Sequence, residues 1–270
     1  MSGFVGLITD FGDSVYDGIV ESVIKYVDPS INVIRIDNEV PHFSVLAGSY
    51  ITYSSYRWLP PGSVIMIVVD PGVGTSRRAV VIRTNNYYFV APDNGVAYEA
   101  AAEDGIREAY AINYSRVRSL AGVKAFNSWP LSYTFHGRDV FAPAAALIAK
   151  GVPPSQFATP IPAGSLVSLR LRYSFRSEGV TRTRVVYIDK FGNVALGLTT
   201  REYRLPRGRL VVNVKGTQHL FTTGRTFADV RPGDAIAYIN SFGFVELAIN
   251  QGSAASKLNV NVGDEVSLIP

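Results

Sequence analysis

The chain has 270 residues, 47% hydrophobic and 18% charged, which fits one large or two ordinary domains and reads as a globular rather than a disordered chain. It contains no cysteine, which excludes disulfides, thiolate zinc sites and cysteine nucleophiles. The net charge of +4 gathers after residue 160, but the arginines there are scattered along strand-like and turn-like segments, as in a solvated face or subunit contact rather than a nucleic-acid surface.

The N-terminus runs directly into the apolar stretch Phe4–Thr9, with no basic region or small-residue cleavage site, so a cytoplasmic protein is expected. No apolar run approaches the ~18 residues that cross a bilayer, so no membrane partner is expected. Phe4–Thr9 and Asn32–Ile36 read as short buried strands. Between them, Ile19, Val20, Val23, Ile24 and Val27 follow helical spacing over Tyr16–Val27. Val45–Tyr56 reads as a second helix, Ser63–Val69 as a third strand, and Ala79–Arg83 with Tyr87–Ala91 as a hairpin across Asn85-Asn86. Gly95–Glu103 and Arg138–Lys150 read as further helices, the last stopped by Gly151 and Pro153-Pro154. Strands alternating with helices predict an α/β domain over residues 1–152, with a mostly parallel sheet covered on both faces.

A Pro/Gly-rich linker is expected over 153–180. Beyond it, Thr183–Ile188, Val194–Leu198, Arg209–Val214, Ala235–Ile239, Phe244–Ile249 and Glu265–Ile269 read as strands. Val230–Ile236 weakly repeats in Val260–Val266, each copy a turn feeding a strand. Residues 181–270 are therefore expected to form a smaller antiparallel β-barrel-like domain.

Three loops of the first domain carry the chemistry. Asp70 follows the apolar run Ser63–Val69, and Pro71, Gly72 and Gly74 then turn the chain so that Arg77 can fold back on it. Open α/β sheets bind ligands at the carboxyl ends of their strands, so a carboxylate there marks a polar small-molecule site; the alternative is a structural Asp capping its loop. Thr9-Asp10-Phe11-Gly12-Asp13-Ser14 puts two carboxylates at the same edge, although Asp13 and Ser14 also suit a helix N-cap. Thr134-Phe135-His136-Gly137-Arg138-Asp139 opens the helix near Val140, where free N–H groups and His136 could polarise a small nucleophile. Asp93, in Ala91-Pro92-Asp93-Asn94-Gly95, reads equally well as a cap. In the second domain, Asp189-Lys190-Phe191-Gly192-Asn193 and Asn240-Ser241-Phe242-Gly243 combine polar groups with an aromatic, either to stack on a nucleobase or as turns packed by phenylalanine. His42, His136 and His219 form no local metal motif, and no metal or cofactor is expected.

Taken in order, Thr9-Asp10-Phe11-Gly12, Val69–Gly74 with Arg77, Ala91–Gly95 and Thr134–Asp139 resemble the S-adenosylmethionine hydroxide adenosyltransferases, relatives of fluorinase and chlorinase. The resemblance runs from Phe4 to Ala254. It implies an α/β first domain, a β-barrel-like second domain and a homotrimer with sites between subunits. It further implies hydrolysis of S-adenosyl-L-methionine to adenosine and L-methionine, without metal. Asp70, Arg77 and His136 fall on the family's set around the attacking water, where Asp70 and His136 would orient and partly deprotonate it and Arg77 would fix Asp70. Asp10 falls on the carboxylate that holds the ribose hydroxyls, Phe43 beside the ribose, and Thr134 and Phe135 at the reacting carbon. Asp189, Phe191, Asn193, Ser241 and Ala254 would serve the adenine and methionine ends.

The first loop is one residue shorter than the family pattern, so Asp13 or Ser14 stands where a second carboxylate is usual. Ile19–Val23 replaces a Met-Lys-Gly-Val type sequence, and Asp37–Pro41 lacks the usual His before Val-Pro. Gly137 and the Asp70 loop differ from the halogenases, against halide as nucleophile. Two other readings compete: a protein that binds S-adenosylmethionine or adenosine without turnover, and a carboxylate-metal phosphoesterase using Asp10, Asp13, Asp70 and Asp93.

Overall fold

The computed structural model describes residues 3–270, and the chain divides into two units, Met1–Leu169 and Arg170–Pro270. The first comprises β1 (Phe4–Thr9), α1 (Val15–Val27), β2 (Asn32–Asp37), α2 (Val45–Ser55), β3 (Val64–Val68), β4 (Ala79–Thr84), β5 (Tyr88–Pro92), α3 (Tyr98–Asp104), β6 (Ile106–Ile112), α4 (Tyr114–Ala121), α5 (Ala142–Ala149) and β7 (Ala158–Ile161). Its sheet has the order β2-β1-β3-β5-β4-β6-β7. The β2-β1-β3-β5 half is parallel, and the pairings from β5 through β4 and β6 to β7 are antiparallel. Both faces of β3 are buried. Val64, Met66 and Val68 pack with α1, α4 and α5, whereas Val69 meets α2 at Gly48, where a Cβ would come within 3.2 Å of Val69. A strand buried on both faces reads as a continuous apolar run, which is why Val64–Val68 is visible in the sequence.

Three elements of this unit escape the sequence pattern. In β6 only Ala109 and Ile112 are buried, so no clean alternation is written there. Helix α4 buries only Val117 and Ala121, a single i, i+4 pair. Strand β7 lies in the Pro-rich stretch expected as linker; it pairs with β6 alone, and Pro160 is tolerated because an edge strand needs no second set of N–H donors. The helix expected over 138–150 begins instead as a π-helical turn, Gly137–Phe141, which leads into α5.

The second unit comprises β8 (Phe175–Ser177), β9 (Val180–Ile188), β10 (Val194–Thr199), β11 (Arg209–Val214), β12 (Thr217–Thr223), β13 (Ala235–Ile239), β14 (Phe244–Ile249), α6 (Ala254–Leu258) and β15 (Glu265–Ile269). Its strands run β10-β14-β13-β12-β11-β15-β9, and pairing of β9 with β10 closes them into a seven-stranded barrel, with β8 hairpinned onto β9. Leu196, Leu198, Leu210, Val212, Phe221, Leu247, Val266 and Leu268 fill its core. Lys215 and Gly216, both at positive φ, make the two-residue turn from β11 to β12. The repeated turns place Gly233 and Gly263 at positive φ just before β13 and β15. Among the described residues no helix is long and apolar enough to cross a membrane.

Candidate active site

Parallel strands end at one edge of a sheet, so the residues after β1, β2 and β3 are brought together there. Asp10 follows β1 directly, and its carboxylate accepts a hydrogen bond from the backbone N–H of Phe43 at 3.0 Å. His42 lies 3.1 Å from the Asp10 carbonyl oxygen through Nδ1. These contacts fold the segment after β2 over the end of β1, with Phe43 at φ 62° and its ring exposed.

Asp70 follows the buried end of β3, and the loop beyond it needs its glycines. Gly74 has φ +80°, and a Cβ there would collide with the carbonyl oxygen of Tyr133. This close approach sets the Asp70 loop against the segment leading to His136. Arg77 donates from Nε to Asp70 Oδ1 at 3.0 Å and from Nη2 to Asp70 Oδ2, a bidentate pair. The same Nη2 lies 3.1 Å from His136 Nδ1, and the guanidinium sits over the Phe141 ring at 5.3 Å. The side chains of Arg77 and Asp70 are 8% and 5% exposed, and His136 is 3% exposed. Burial pushes the Asp70 carboxyl above the usual carboxylate range, against the pull of Arg77. Burial and the Arg77 charge push the His136 imidazole down, against Asp70 and Asp139.

The segment that carries His136 is stapled by Asp139. This fully buried carboxylate accepts from the Ser132 N–H at 2.7 Å, from Arg138 Nε at 2.7 Å and from Arg138 Nη2 at 3.0 Å. The π-helical turn puts His136 at its mouth, a distortion frequent at functional sites. Phe135 packs edge-on against Phe11 and Tyr16, with centroids 6.0 and 5.1 Å apart.

Asp10, Phe43, Asp70, Thr134, Phe135 and His136 all line one cavity of about 270 Å³. Phe11, Tyr16 and His42 share its wall and were missed by the sequence reading. Phe11 follows Asp10 and His42 precedes Phe43, whereas Tyr16 stands at the start of α1, and in each case the spacing fits a loop or helix role equally well. Asp13 is exposed and does not line the cavity, while the Ser14 hydroxyl beside it is buried without a hydrogen-bond partner. Asp93 is held by Arg78, with Nε 2.8 Å away, and by the Val167 N–H at 2.9 Å, which gives it a structural task. With Asp70 bound by Arg77, Asp93 by Arg78 and Asp13 off the wall, the four carboxylates of the phosphoesterase reading do not converge. A second groove of about 310 Å³ beside α1 is mainly apolar, and its one charged group, Arg138, is paired with Asp139.

In the barrel unit, Asp189 organises the β9–β10 loop. Its Oδ1 accepts from the N–H groups of Phe191 and Asn193, and its Oδ2 from Asn193 Nδ2, each at 2.9 Å. Asn193 is thereby buried and fixed, whereas Phe191 is 68% exposed and not packed into the turn. The Gly192 carbonyl accepts from the Ala255 N–H at 2.9 Å, which joins this loop to Ala254 at the start of α6. Ser241 is elsewhere. Val194 pairs with Leu247 and Thr199 with Phe244, so the 240–243 turn lies at the opposite end of the β10–β14 ladder from Asn193. Along β14 three residue steps, from Leu247 to Phe244, separate these pairings by roughly 10 Å, because β10 bulges between Ala195 and Thr199.

Residues 5–158 match the family model described as the SAM hydroxide adenosyltransferase N-terminal domain, and residues 183–267 the corresponding C-terminal domain. A Thermus thermophilus protein named (R)-S-adenosyl-L-methionine hydrolase is 36% identical over 98% of this chain and 99% of its own. A fluorinase from an Actinoplanes species is 24% identical over 98% of this chain and 96% of its own. The crystal structure of a conserved protein from Thermotoga maritima superimposes with a TM-score of 0.87 at 33% identity, covering 98% of this chain and all of that one.

Proposed function

This chain belongs to the SAM (S-adenosylmethionine) hydroxide adenosyltransferase family, and we propose that it hydrolyses S-adenosyl-L-methionine to adenosine and L-methionine by in-line attack of water at C5′. The observation that carries the reading is the hydrogen-bonded set Asp70–Arg77–His136, of which Asp70 and His136 line a cavity that also holds Asp10. A sulfonium leaves as a neutral thioether and needs no general acid. What the protein must supply is a water held in line with the C5′–S bond, and positioning can lower such a barrier by ~7–11 kcal/mol. Asp70 borders the cavity and anchors that water, Arg77 fixes Asp70, and Asp10 takes the ribose hydroxyls. Phe43, Thr134 and Phe135 flank the ribose and the reacting carbon. Binding alone would not need a buried carboxylate locked by a guanidinium and an imidazole, so turnover is favoured over a sink or sensor.

The finer assignment is a cytoplasmic homotrimer, in which the barrel unit of a neighbouring subunit completes each site. Phe191, exposed with the Lys190 ammonium over its ring, and Asn193, oriented by Asp189, suit an adenine together with Ala254. Ser241 suits the methionine end, and its distance from Asn193 supports an extended substrate. Asp13, exposed beyond the cavity wall, is given no role in this assignment.

The deciding experiment is incubation of the protein with S-adenosylmethionine in ¹⁸O-labelled water. Label at the 5′ oxygen of adenosine is expected; adenine release or label elsewhere would refute the mechanism. Because the Thermus relative is named for the (R) sulfonium, the two sulfonium epimers are assayed separately, with the (R) form expected to turn over faster.

A further inference from the structure

His136 has two ring nitrogens, and neither is available to a water in the cavity. Nδ1 lies 3.1 Å from Arg77 Nη2. A guanidinium carries only donors and stays protonated at any working pH, so Nδ1 is the acceptor of that bond. A neutral imidazole that accepts at Nδ1 holds its proton on Nε2. Nε2 is buried without a hydrogen-bond partner among the described residues. The Tyr114 ring packs edge-on against the imidazole, with centroids 5.1 Å apart. The charged groups around the ring are Arg77, Asp70 and Asp139, and burial with Arg77 keeps it in the neutral form.

Asp70 is placed differently. Two of its four lone pairs accept from Arg77 and a third from the Gly72 N–H, so one remains, and the residue lines the cavity. Its burial makes it a stronger base than an ordinary carboxylate.

Building on the hydrolase reading, we infer that His136 is a positioning residue whose Nδ1 holds Arg77 in register against Asp70, and that the Asp70 carboxylate takes the proton of the attacking water. In the step, the water oxygen bonds to C5′ as the C5′–S bond breaks. The bonding pair leaves on sulfur to give the neutral thioether of methionine. One water proton passes to an Asp70 oxygen and is returned to solvent as products leave.

The ring can be observed directly, because the chain holds only three histidines. In protein labelled with ¹⁵N-histidine, the signal lost in His136→Asn identifies the His136 ring. The expected result is a proton on Nε2, an unprotonated Nδ1 and no titration between about pH 6 and 8. A proton on Nδ1, or titration that tracks activity, would overturn the inference. Kinetics give a second test. Asn at position 136 can offer its side-chain oxygen to Arg77 where Nδ1 did, whereas Ala cannot. His136→Asn should keep a kcat at least about tenfold above that of His136→Ala, with KM similar and the acid limb of kcat/KM in place. Equal loss in two folded variants, or disappearance of that limb in His136→Asn, would overturn it as well. If the asparagine variant does not fold, His136→Gln identifies the signal and the spectrum decides alone. Lack of turnover by the parent protein would refute the hydrolase reading, while the ring state is still read independently.

Discussion

The two units use their loops in opposite ways. In the first, residues as far apart in sequence as Asp10, Asp70 and His136 meet on one cavity. In the second, the Asp189–Asn193 loop and Ala254 gather at one end of the β10–β14 ladder, and Ser241 sits at the other. Strand direction accounts for the difference. Parallel strands deliver all their carboxyl ends to one edge, so chemistry can concentrate there. In the barrel all neighbouring strands but β12 and β13, which pair parallel, are antiparallel, and hairpin turns between antiparallel strands fall at alternate ends, which suits two separated contacts on a long ligand better than a reaction centre.

The sharpest way to break this comparison is to remove the base from the convergent unit. Asp70→Asn should lower kcat by about 10²–10⁴-fold with little change in KM, measured by adenosine release from a folded variant. Retention of near-parent turnover would move the reaction away from this edge. Next in size is the staple beneath the loop. Asp139→Ala leaves Arg138 without its partner and the Ser132 N–H unpaired, and should cost about 3–5 kcal/mol, read as a lowered urea midpoint with unchanged m. A midpoint within the parent's error would show that the loop is held by packing alone.

The pH profile tests the same centre. With Asp70 as the proposed base the active form is its ionised carboxylate, and burial raises its pKa, so the protonated form persists to higher pH than for an ordinary carboxylate. Activity should therefore fall on acidification at a pH above the usual carboxylate range, and the limb should be absent from the residual activity of Asp70→Asn. A limb at an ordinary carboxylate pKa would contradict the buried state of Asp70.

Smaller effects separate the two ends of the barrel. Asn193→Ala should weaken adenosine inhibition about 5- to 10-fold and leave methionine inhibition intact, the size of one or two hydrogen bonds. Ser241→Ala should do the reverse and by less, about 2- to 5-fold. If both variants weaken the same product, the separation of these contacts along the ligand is wrong.

Much of this molecule is written locally. The bounds of β1, β11, β13, β14 and β15 match the apolar runs that predict them, because burial of a strand face leaves a direct mark on its sequence. The meeting of Asp70 with Arg77 is also local, since two glycines and a proline in a seven-residue span leave the chain little choice but to turn back. The elements that buried little, β6, α4 and β12, left no such mark. Only tertiary structure decided the rest. The Arg77–His136 contact joins residues 59 apart in sequence, and no pattern encodes a distance set by sheet order and by the packing of Gly74 against Tyr133. The protonation state of His136 follows from what covers its two nitrogens, which is a property of the packed interior. The distance between Asn193 and Ser241 is likewise fixed by the pairing of β10 with β14, where register and direction, rather than residue type, place a side chain at one end of the barrel or the other.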